Sequence, residues 1–98
     1  MRLYHATPNR NMPAIRQHGL NPALAKGKRL LIWFHTQSKW VWAINHTMKT
    51  HGVSRSEIVV LEVDIPRKDL TRRWRGIWTT NRRVFIKGVI PNEANPEP

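Results

Sequence analysis

Five histidines, His5, His18, His35, His46 and His51, carry most of the side-chain chemistry this sequence offers. Cysteine is absent, which excludes disulfides, thiolate metal ligands and Cys–His nucleophilic pairs. No HExxH or related zinc spacing occurs, and His46 and His51 stand five apart, off the i, i+4 step that puts two ligands on one helix face. No metal is therefore expected. A glycine-rich phosphate loop is also missing. Glu62 and Asp64 share a strand face, as paired-carboxylate hydrolysis would require. Any two residues so spaced do the same, and salt bridges into a basic protein are their simpler use. Two histidines sit alike. His5 follows Leu3-Tyr4 and precedes Ala6-Thr7, and His35 follows Ile32-Trp33-Phe34 and precedes Thr36. Each closes an apolar strand just before a hydroxyl residue, where sheet edges present side chains to a cleft. Imidazole placed there can hydrogen-bond a ribose hydroxyl or a phosphate. The alternative use of each is structural packing.

Charge narrows the partner. Seventeen Lys and Arg stand against six Asp and Glu, a net +11. The first acidic residue is Glu57, after nine basic side chains, and a second basic run extends from Arg67 to Lys87. Such a field draws phosphate backbones by counterion release. Nucleic acid, RNA or DNA, is the expected partner, with Arg29, Arg72, Arg73, Arg75, Arg82 and Arg83 as candidate contacts, because the planar guanidinium fork suits phosphate. No basic amphipathic helix stands out, no basic-then-apolar leader is seen, and no apolar run approaches the roughly 18 residues of a membrane span. The expectation is a cytoplasmic protein without a membrane partner.

The elements that would position these residues read as follows. Arg2–Ala6 forms a first strand. Asn11 caps a helix with Pro13 in its first turn, Met12, Ala14 and Ile15 inward, and Gly19 at its end. Leu30–Phe34 is an apolar run of strand length. Ser38 caps a second helix with Val41, Ile44 and Met48 inward and Gly52 as its stop. Ile58–Asp64 is the clearest strand, β-branched, with Val59, Leu61 and Val63 on one face. Two short strands follow, near Gly76–Thr79 and Val84–Ile90. This order predicts one α+β domain over residues 1–91, a small split β-sheet with two short helices, and a disordered Pro-rich tail at 92–98. Of the tryptophans, Trp40 and Trp42 are two apart at a helix start, so one of them must be exposed. Core packing is expected for Trp33, Trp74 and Trp78.

Several segments also resemble the ADP-ribosyltransferase superfamily, and most closely its RNA 2′-phosphotransferase (KptA) family. They are Leu3-Tyr4-His5-Ala6-Thr7, Gly19-Leu20-Asn21-Pro22, Phe34-His35-Thr36, Val59–Asp64 and Gly76-Ile77-Trp78-Thr79, in family order over residues 2–91. The resemblance implies an ADP-ribosyltransferase-like split sheet around a nicotinamide-nucleotide cleft, with NAD as substrate. It implies that His5 meets the NAD ribose hydroxyl with Thr7 beside it. His35 takes the second motif position, with Thr36 next to it and Trp33 near the nicotinamide. The chain departs from the family in starting at the first strand, without the N-terminal RNA-binding lobe. It also has Asn81-Arg82-Arg83 where the family is acidic, and a hydrophobic residue in place of the glutamate of the third motif position, with Glu93 nearby in the Pro-rich tail. Two function classes follow: an NAD-dependent transferase acting on nucleic acid, or a non-catalytic basic nucleic-acid- or protein-binding module derived from the same fold.

Overall fold

The computed structural model describes residues 1–24 and 31–90. There, two helices pack on one six-stranded antiparallel sheet, the α+β architecture predicted from the order of elements. The strands are β1 (Arg2–Pro8), β2 (Ile32–His35), β3 (Ile58–Asp64), β4 (Thr71–Trp74), β5 (Ile77–Thr80) and β6 (Gly88–Ile90). The helices are α1 (Met12–His18) and α2 (Trp40–His51). Across the sheet the order is β4-β5-β2-β1-β3-β6. Arg29, the start of the Leu30–Phe34 run and the 92–98 tail lie outside the described residues.

Side-chain alternation builds two cores. Leu3, Phe34, Leu61 and Val63 pack with Met12 and Ile15 of α1, whereas Tyr4, Ile58 and Val60 pack with Trp40 and Ile44 of α2. One helix therefore covers each face. This is why β3 reads as a continuous apolar run: Val59, Leu61 and Val63 serve one core while Ile58 and Val60 serve the other. No helix among the described residues is long and apolar enough to cross a membrane.

Both helices stop where glycine predicts. Gly19 has φ 73° and closes on the Ile15 carbonyl, and Gly52 is left-handed, with its own N–H and that of Val53 both reaching the Met48 carbonyl. α1 starts after Asn11 as expected and α2 one residue later than Ser38 implies, but neither start has the expected side-chain cap. Each helix is preceded by a 3₁₀ turn, Asn9–Asn11 and Gln37–Lys39, whose i→i+3 bonds occupy the first amides. Neither Asn11 nor Ser38 caps. Asn11 Nδ2 donates to Thr7 Oγ1 at 3.1 Å, and Ser38 Oγ pairs with Thr36 Oγ1 at 2.9 Å. Ala14 and Val41 also turn outward, and the inner face of α2 is Trp40, Ala43, Ile44 and Thr47.

One strand was illegible. β4 is exposed at all four positions and shows no hydrophobic alternation. It exists because Arg75-Gly76, with φ 75° at Gly76, folds the chain back so that Trp74 pairs with Ile77 of β5. The expected Val84–Ile90 strand is instead β6 plus an isolated bridge from Val84 to Leu20. Trp78 is buried, but Trp33 and Trp74 are exposed and not in the core, and α2 buries Trp40 while exposing Trp42. The carboxylates serve as ion-pair partners: Glu62 with Arg2 (2.8 Å) and Lys87 (3.9 Å), Asp64 with the N-terminal amine, and Asp69 with Arg82 (3.3 Å).

Candidate functional site

β1 and β2 are neighbours that register at a single pair, Tyr4↔His35. Past that pair the ladder stops, and a pocket of about 750 Å³ opens with walls from both strands. The volume lies within the range of small-molecule sites. Ile15, Gly19 and Leu20 close it from the α1 side. The α2 wall is made by two ridges at i, i+4, i+8 spacing: Trp42-His46-Thr50 and Ala43-Thr47-His51.

His5 reaches across this split. Its Nδ1 donates to the Trp33 carbonyl at 2.7 Å, which fixes the tautomer and leaves Nε2 as a hydrogen-bond acceptor. Burial in the pocket pushes its pKa below the ordinary value, against the Trp33 bond that favours the charged form, and nearby His51 lowers it further. His5 is thus a neutral acceptor suited to a ligand hydroxyl.

His35 is only 3% exposed, and its Nδ1 donates to the Thr36 carbonyl at 2.8 Å. Burial takes its pKa down to about 4, outweighing that hydrogen bond, so it too is neutral. Its Nε2 is buried with no hydrogen-bond partner among the described residues, and the same holds for Trp40 Nε1 on the neighbouring ring, 6.0 Å away between centroids. The two histidines line one pocket from opposite faces of the sheet. His35 pairs with Tyr4 on the α2 face, and His5 packs against Phe34, 5.8 Å away, on the α1 face. Their matched sequence settings conceal this difference, because β1 contributes its odd-numbered residues to one face and β2 its odd-numbered residues to the other.

Thr7 is buried in the pocket wall, with Oγ1 accepting from Asn11 Nδ2, so its hydroxyl proton can still be donated. Trp33 stands at the rim, stacked on Trp74 at 5.8 Å and 23°. Thr36 lies outside the pocket lining; it bonds Ser38, and its amide donates to the Gly76 carbonyl at 3.0 Å. The described lining residues include no Asp, Glu, Lys or Arg. Nor do the described residues gather three potential metal ligands.

The candidate arginines are scattered. Arg73 donates from Nε to Thr79 Oγ1 at 2.9 Å, with Cζ 6.0 Å from the Trp33 ring. Arg72 pairs across the sheet with Trp78 and so belongs to the opposite face. Arg75 occupies the β4–β5 turn, Arg83 is exposed, and Arg82 is engaged with Asp69.

Sequence reasoning missed Asn11, Trp42, His46, His51 and Trp74 as pocket residues. A signal was present for α2, since Trp42, His46 and Thr50 repeat at i+4 and the Trp42 and His46 rings stack at 5.1 Å. Weighing His46 and His51 only as metal ligands hid that stripe. No known protein-family model matches this chain, and no curated protein does.

Proposed function

We propose that this protein is an NAD-dependent transferase acting on nucleic acid, of the ADP-ribosyltransferase or RNA 2′-phosphotransferase type. The observation that carries the reading is His5, held by the Trp33 carbonyl in the split between β1 and β2, with its acceptor nitrogen left for a ligand. An acceptor there suits a ribose hydroxyl, and the aromatic and apolar walls suit nicotinamide. The resemblance in the sequence points to the same ligand. Thr7 would donate to the nucleotide, and His35 would hold the inner end of the pocket as a neutral wedge.

In the transfer, the bond between nicotinamide and ribose C1′ breaks, nicotinamide departs, and an acceptor oxygen or nitrogen bonds to C1′. No carboxylate base is assigned, because none lines the described pocket. An anionic acceptor such as a phosphate brings its own nucleophile and needs none. The acceptor is assigned to nucleic acid on the +11 charge.

That same lack of a carboxylate favours the second reading, a non-catalytic binding module on the same fold. Labelled NAD incubated with mixed RNA and DNA separates the two. Transfer of label that His5→Ala abolishes supports the enzyme. NAD binding without transfer supports the module, and neither binding nor transfer ends the NAD reading.

A further inference from the structure

We infer that the stacked Trp33–Trp74 pair on the β4 edge is a platform for an unpaired base of a single-stranded nucleic acid, set at the mouth of the pocket. The inference rests on the nucleic-acid half of the proposed function and is independent of NAD.

Trp74 is 62% exposed, an unusual state for the largest apolar side chain in a small domain, where such rings normally supply the core. Its placement is built. In a regular strand Trp74 would share the face of Arg72, which pairs with Trp78. The register shifts between Arg72 and Trp74, so Trp74 faces Ile77 instead. Ile77 pairs with His35, whose neighbour two residues back on the same face is Trp33. The bulge therefore turns Trp74 onto the face that holds Trp33, and both tryptophans line the pocket. One ring face of Trp74 lies on Trp33 at 5.8 Å. The exposure leaves the other face to solvent, where a base can extend the stack.

Charge selects the occupant. Residues 70–90 contain six basic and no acidic side chains. Arg73 sits beside Trp33, anchored through Nε to Thr79, which leaves its terminal nitrogens to meet phosphate, and Arg75 follows Trp74 in the turn. Aromatic faces among cations bind unpaired bases without reading sequence, whereas a duplex keeps its base faces stacked inside. A single strand can offer both groups at once, a base to Trp74 and phosphates to Arg73 and Arg75.

The test is binding of fluorescently labelled single-stranded oligothymidine and oligouridine, of a mixed-sequence duplex, and of polyglutamate as an anion that cannot stack. The single strands should bind more tightly than duplex or polyglutamate and should quench tryptophan emission. Trp74→Ala should weaken single-strand binding about tenfold, the effect typical of one stacked base, while Trp74→Phe keeps most of the affinity. Because Trp74 is largely exposed, neither variant should lose the fold, and the melting temperature verifies this. Single-strand binding that Trp74→Ala leaves unchanged overturns the platform and spares the nucleic-acid reading. Equal or tighter binding of duplex or polyglutamate also overturns it. Failure of every polyanion to bind overturns both, and the NAD reading is then judged by its own label-transfer test.

Discussion

Replacing Gly19 by alanine puts a methyl group where the fold has no room and the backbone no tolerance. Gly19 has φ 73° and ψ −169°, a region essentially reserved for glycine, so forcing alanine into it costs about 1–3 kcal/mol. The new Cβ would lie 2.8 Å from the Val84 carbonyl oxygen and 3.0 Å from a Phe85 ring carbon. Phe85 is exposed and can swing away. Val84 cannot move as easily, because that carbonyl accepts from the Leu20 amide at 2.7 Å and the return bond from Val84 N–H to Leu20 is 2.9 Å. Straining that bridge adds about 1 kcal/mol, for a total of roughly 2–4 kcal/mol. In a domain of this size such a loss lowers the melting temperature by about 10–30 °C. Urea and thermal unfolding followed by tryptophan fluorescence measure it. Gly88→Ala is the control, since a Cβ there meets nothing within 4 Å, and it should stay within about 0.5 kcal/mol of the parent. A Gly19→Ala loss below about 1 kcal/mol would refute the reasoning.

His35 makes stability pH-dependent. Its folded pKa is about 4 against an ordinary 6.5, so below pH 6.5 the unfolded chain binds a proton that the folded chain refuses. Stability is therefore full above about pH 6.5 and falls by roughly 3 kcal/mol as pH drops to about 4, with His5 adding in the same direction. Urea titrations across that range should show the slope, His35→Gln should flatten much of it, and a flat parent profile contradicts the burial argument. Arg82→Ala breaks a pair between an exposed guanidinium and the partly buried Asp69, so it should change stability by less than about 1 kcal/mol, and a larger loss would mean the pair is more than a surface contact. Binding to generic RNA or DNA should fall about a thousandfold or more between roughly 50 and 200 mM salt if some six cations meet phosphates, and a flat salt response would remove nucleic acid as the partner.

What could be read from the sequence followed the strength of local signals. β3 announced itself by a β-branched run, and the ends of α1 and α2 by Gly19 and Gly52, because those signals act within a few residues. β4 gave no such signal: Thr71–Trp74 is a strand only through its pairing with β5, and that pairing is a tertiary event. The start of α1 after Asn11 was legible and that of α2 fell one residue past Ser38, but neither side chain caps, because a 3₁₀ turn already occupies the first amides. His5 and His35 were singled out by strand position and Thr7, Trp33 and Thr36 by the resemblance, and the structure gathers all but Thr36 at one pocket. Their facing was not legible, since it depends on the β1–β2 register, which no local sequence pattern encodes. Trp33 and Trp74 were misjudged for a related reason. Size argues for the core, but a bulge at Arg73 and the rim position of Trp33 place both outside it.

We propose that the split between β1 and β2 is an NAD site organised by His5. Thermal unfolding with and without saturating NAD, in the parent chain and in His5→Ala, tests it most directly. At about 100 times the dissociation constant, NAD should add roughly 2.7 kcal/mol to the parent and visibly raise its melting temperature. His5→Ala should fold normally and lose most of that shift, because the acceptor nitrogen in the split is gone. A parent chain whose melting temperature does not respond to NAD, or a His5→Ala variant that responds as fully as the parent, would contradict the account.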